Sequence, residues 1–99
     1  MLFRSLVALM IYSRRRTQNH PLRRIILDEP GRITNIDYRM STSSSGAFAT
    51  HWLTFADESG MTLGLRFEQG VLQTLAPFLA RRFANANIQI PGFAPAPPP

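Results

Sequence analysis

Between Met61 and Phe67 apolar and polar residues alternate without a break: Met61, Leu63, Leu65 and Phe67 on one side, Thr62, Gly64 and Arg66 on the other. Strict period-two alternation predicts a half-buried antiparallel strand. Ala47 to Ala56 predicts a strand before it, and Asp57-Glu58-Ser59-Gly60 supplies the turn between the two. Farther upstream, Arg32 to Met40 sets Thr34, Ile36, Tyr38 and Met40 against Asn35, Asp37 and Arg39. Arg23 to Leu27 is a short β-type run that ends at Asp28-Glu29-Pro30-Gly31. A type II turn at Pro30-Gly31, with glycine at positive φ, joins these two runs into a hairpin. The polar stretch from Ser41 to Gly46 ends the regular ladder between the hairpins.

Beyond Phe67 the period changes. Val71, Leu72, Leu75, Phe78, Leu79 and Phe83 recur at spacings of one, three and four, which predicts a helix from about Gln69 to Phe83. Pro77 falls inside it and removes one backbone hydrogen bond, so a kink or restart is expected there. Arg81 and Arg82 complement the negative end of the helix dipole.

These elements make an α+β domain over residues 23–90: two antiparallel β-hairpins form a small sheet, covered by one C-terminal helix. The helix stripe covers the Met61/Leu63/Leu65/Phe67 side. Residues 91–99 carry five prolines and read as an extended, disordered tail. Residues 1–22 read as a basic amphipathic arm and linker. In that arm Leu2, Phe3, Leu6, Val7, Met10 and Ile11 line one side of a helix, with Arg4, Ser5 and Ala8 opposite. Spanning a bilayer takes about 20 apolar residues, and this stretch is too short. It is also a poor secretory signal, because Arg14–Arg16 follow the apolar run and no small-residue cleavage site is evident. An acid-free, arginine- and serine-containing start fits an organellar transit peptide as well.

Charge divides the chain unevenly. All eleven cations are arginine, and Arg4, Arg14, Arg15, Arg16, Arg23 and Arg24 precede the first acid, Asp28. From there on five arginines meet six acids, so the net +5 belongs to the N-terminal segment. A GC-rich genome would yield arginine throughout; so would a need for bidentate phosphate contacts, which the guanidinium fork makes better than an ammonium. A domain of this size is marginal alone, which leaves room for a protein partner or a homo-oligomer.

Little in the chain points to catalysis. Without cysteine there is no thiolate site, and His20 and His51 are the only histidines. His51 reads as a partly exposed strand residue. Ser41, Ser43, Ser44 and Ser45 have no base beside them, and the acid pairs Asp28/Glu29 and Asp57/Glu58 are accounted for as turn residues. No catalytic residue, metal or cofactor is expected.

Two features remain. Arg14-Arg15-Arg16 and Arg23-Arg24 across a polar spacer resemble the basic arms of nucleic-acid-binding chains, and also fit a solvated segment that aids solubility. If Leu53 and Phe55 face the core, Trp52 points outward beside Arg39 and Arg66, a stacking platform for single-stranded bases. The opposite register buries Trp52, and a third leaves it half-buried at the sheet edge. The leading expectation is a small non-catalytic module that contacts nucleic acid through Arg14, Arg15, Arg16, Arg23, Arg24, Arg39, Trp52 and Arg66. The alternative is an adaptor or small subunit held at an anionic membrane surface by the amphipathic basic N-terminus.

Overall fold

The computed structural model describes residues 19–67 and 69–93. The expected amphipathic arm, Arg14–Arg16 and the last six residues of the proline-rich tail lie outside them. The described chain runs α1 (Pro21–Asp28), a 3₁₀ turn (Pro30–Arg32), β1 (Ile33–Thr42), β2 (Ala49–Asp57), β3 (Thr62–Phe67), α2 (Gln69–Arg82) and β4 (Asn87–Gln89). The sheet order is β3-β2-β1-β4. The first three strands form an antiparallel meander, and β4 adds in parallel beside β1. The class is therefore α+β, with a mixed sheet in place of two paired hairpins.

The first correction concerns residues 23–27, which are helix rather than strand. Leu22, Ile25 and Ile26 are buried, a spacing of three and four that only a helix presents to one side. Pro21 stands in the first turn, where its missing N–H costs nothing, and His20 Nδ1 accepts a hydrogen bond from the Leu22 amide at 3.1 Å. At the other end, Arg82 of α2 donates to the Leu27 carbonyl, taking up an acceptor that the helix leaves unpaired. Pro30–Arg32 is a 3₁₀ turn, and Gly31 is not among the positive-φ glycines.

The second correction concerns the serine stretch, which closes a ladder instead of ending one. Pairing of β1 with β2 continues through Ser41↔Thr50 and Thr42↔Ala49. Ser43 N–H donates to the Phe48 carbonyl at 2.8 Å, and Gly46, at φ 74°, donates to the Ser43 carbonyl at 2.9 Å. Near the start of β1 a register shift between Ile33 and Asn35 inserts one residue, so Ile33 and Ile36 both reach the core despite standing three apart. Met40 and Met61, expected on the core side, are exposed.

The β2–β3 turn forms as expected, and Asp57 organises it. Its Oδ1 accepts from the Ser59 hydroxyl at 2.7 Å and from the Ser59 and Met61 amides at 3.1 and 3.0 Å. Gly60, at φ 87°, completes the reversal.

Helix α2 follows the expected stripe: Leu72, Leu75, Phe78, Leu79 and Phe83 are buried, with Ala76 added and Val71 partly buried. It runs unbroken through Pro77, with no restart. Pro77 and Gln73, whose carbonyl loses its partner, are both exposed, so water can take up the orphaned acceptor. Because β3 and β4 both run parallel to β1, α2 is a crossover from one sheet edge to the other. Both helices share one buried cluster with Ile36, Leu53, Phe55, Leu63, Leu65 and Phe67, and Phe83 meets Phe55 edge-on at 5.6 Å. After β4, Ile90 bridges to Phe93, and Phe93 packs on the core, so the chain stays attached to the body past Pro91.

Candidate nucleic-acid interface

The two helices occupy one side of the sheet, and no described element covers the other. Alternation sends Leu53 and Phe55 inward and Trp52 and Thr54 outward. Trp52 sits on a central strand, neither core-buried nor at an edge. Its neighbours follow from register: Arg39 pairs with Trp52 from β1, and Arg66 pairs with it from β3. The indole is thus flanked on both sides by arginine. The Arg66 guanidinium lies over the ring, 5.7 Å from its centroid. A Cβ added at Gly64 would stand 3.7 Å from Trp52 Cε3, an ordinary contact distance, so the ring leans over β3 beside Gly64.

Around this trio the exposed side is polar. Asn35 and Asp37 continue from Arg39 on β1, Thr50 and Thr54 flank Trp52 on β2, and Asn87 and Gln89 extend the strip on β4. Asp37 is its acid among the described residues. Other acids gather at the opposite end of the molecule, where Glu29 pairs with Arg24 at 3.1 Å and Glu58 pairs with Arg32 at 3.0 Å. There the Ser59 hydroxyl, ahead of the Met61 and Ser59 amides, holds the Asp57 carboxyl below its ordinary 3.8.

Of the candidate residues named from sequence, Arg39, Trp52 and Arg66 come together. Arg23 and Arg24 belong to α1, in the helix layer on the far side of the sheet. Arg24 is engaged with Glu29, and Arg23 is half-buried, its Nε without a hydrogen-bond partner among the described residues. These two are part of the body rather than of a basic arm.

His51 also needs correction. It is buried on the core side, and its Nδ1 shares a 2.8 Å hydrogen bond with the Tyr38 hydroxyl. Both rings pack against Phe67, at 6.0 Å for Tyr38 and 5.8 Å for His51. This is a histidine whose polarity is satisfied inside an aromatic cluster. Sequence reasoning missed the pair; its signal was that Tyr38 and His51 share the parity of core positions on neighbouring strands. Among the described residues no three His, Asp or Glu side chains come close enough to hold a metal ion. A groove between α2 and the turn after β4 is lined by Tyr38, Leu72, Pro77 and Phe93, with no charged side chain. Among the described residues, no helix is long and apolar enough to cross a membrane.

Comparison with protein-family models, with curated proteins and with solved structures returned no match.

Proposed function

We propose that this protein is a small non-catalytic module that binds single-stranded nucleic acid on the uncovered side of its sheet. The observation that carries this is the setting of Trp52: an outward indole on a central strand, between Arg39 and Arg66 in register. The indole is half-buried, and on a sheet surface otherwise made of polar side chains it keeps an apolar face toward solvent. As a stacking platform it suits any base, because every base has a π-face, and each stacked base contributes about 1–3 kcal/mol. The Arg66 guanidinium lies over the indole, 5.7 Å from its centroid, so a base stacking on that face would displace it and leave its N–H donors beside the phosphate of that nucleotide. Arg14, Arg15 and Arg16 would add phosphate contacts that are independent of sequence.

Trp52 is the chain's single tryptophan, so its fluorescence reports the site directly. Titration with a thymidine oligonucleotide at low salt should quench the emission, and added salt should reverse it through counterion uptake. Trp52→Ala should cost about 1–3 kcal/mol of affinity with little change in the salt dependence, since no charge is removed. Absence of binding at low salt would refute the proposal. Binding to anionic vesicles that disappears on removing residues 1–16 would instead place the protein at a membrane surface.

A further inference from the structure

The most exposed large apolar side chain among the described residues is Phe48, 76% accessible, at the tip of the β1–β2 hairpin. Nothing in the packing of the body accounts for it. The hairpin projects past the helices: from Arg39 to Thr42 and from Ser43 to Ala49 every residue is exposed on both sides of the ribbon. Phe48 follows directly from the ladder, because the Ser43 amide donates to its carbonyl just beyond the Thr42↔Ala49 pair. Continuing the alternation of β2 from Trp52 through Thr50 puts Phe48 on the same side of the ribbon as the indole.

We propose that Phe48 is a second base-stacking contact of the same platform, so that a bound single strand runs along β2 from Trp52 to the hairpin tip. This rests on the proposed single-strand binding by Trp52. Four residues of strand separate the two rings by about 13 Å. A stacked strand rises about 3.4 Å per nucleotide, so the two rings serve bases about four nucleotides apart, fewer if the strand is stretched. Charge along this path is favourable: from Tyr38 to Ala56 the chain contains no Asp or Glu, and its charge there is Arg39. Between the rings lie the hydroxyls of Ser41 and Thr50, paired across the two strands and suited to phosphate oxygens. In the other direction along β2 the strand would meet Asp37, paired across from Thr54, so the acid-free hairpin is the side toward which a polyanion is drawn.

The test compares a thymidine dinucleotide with a thymidine octanucleotide in the full-length chain, both read by titration calorimetry, with Trp52 quenching as a second readout wherever the indole is present. The dinucleotide is too short to reach both rings, and the octanucleotide is long enough. Phe48→Ala should weaken octanucleotide binding at least about five-fold, the lower end of what a stacked base contributes, and leave dinucleotide binding unchanged. Phe48→Tyr should restore the octanucleotide affinity, because tyrosine retains the ring. The salt slope should not move in either variant. Because Phe48 is exposed and outside the ladder, a thermal melt of Phe48→Ala should match the parent. If Phe48→Ala binds both ligands like the parent while Trp52→Ala loses both, the second contact is overturned and the Trp52 site stands. If neither oligonucleotide quenches Trp52 in the parent, the site and its extension fail together.

Discussion

Asp57 shows how much one side chain organises here. Three donors converge on its Oδ1, and the Ser59 hydroxyl in particular favours the ionised form. A carboxyl whose pKa is depressed by folding contributes stability that is present above its unfolded value and lost as pH falls through the folded one. The chain should therefore lose stability on acidification below about pH 4. Asp57→Asn should be less stable than the parent near neutrality and converge with it in acid, as read by urea denaturation across pH. Equal pH profiles for parent and variant would show that the turn does not depend on the charge. Trp52 is the opposite case. Its half-buried ring packs beside Gly64 and under Arg66, so Trp52→Ala should stay folded with a lowered melting temperature while losing oligonucleotide affinity. Unfolding of that variant would make the indole a structural residue.

At the scale of elements, α1 and α2 form one layer tied together by the Arg82 contact to the Leu27 carbonyl and by a shared core. Ile26 is fully buried in that core. Ile26→Ala should cost about 2–5 kcal/mol, whereas truncating the exposed Arg24 should cost little. A half-exposed strand over 23–27 could not bury Ile25 and Ile26 together, so large losses at both positions in denaturant titrations would confirm the helix. In α2, Pro77 sits in the helix interior, where proline is about 3 kcal/mol less favourable than alanine. Its restriction of the unfolded chain returns about 0.4–1 kcal/mol of that. Pro77→Ala should therefore raise stability by up to about 2 kcal/mol and increase the melting temperature. A lower melting temperature would show that the pyrrolidine ring contributes packing along the Tyr38/Phe93 groove.

For the whole molecule, the uneven distribution of charge is the governing property. Arg24 and Arg32 are matched to Glu29 and Glu58 at one end, while Arg39 and Arg66 flank Trp52 on the uncovered side of the sheet. By sequence, the excess of positive charge lies in the segment before Asp28. Replacing Arg14, Arg15 and Arg16 by Gln should leave the stability of the body within about 0.5 kcal/mol. If these residues contact phosphates, the same change should weaken binding across all sequences and lower the salt slope by up to about three. Measuring affinity against salt for the triple variant and for Trp52→Ala separates the two contributions. A triple variant with an unchanged slope would leave the first arginines without a role in polyanion binding.

Local pattern alone determined β3, the β2–β3 turn and the apolar stripe of α2, because their residues alternate or recur over enough positions to admit one period. It also limited Trp52 to a choice of side, and burial of Leu53 and Phe55 settled that choice. Tertiary structure decided the rest. In α1, eight residues are too few for periodicity to separate helix from strand, and an isolated helix that short is unstable in water. Only the packing of Leu22, Ile25 and Ile26 on β2 and β3 selects the helix. In β4, three residues with one inward Ile88 carry no alternation to read, and the strand exists because the α2 crossover delivers it to the open edge of β1. The Tyr38–His51 bond and the Arg39–Trp52–Arg66 row are of the same kind: each joins residues distant in sequence, and strand register alone makes them neighbours.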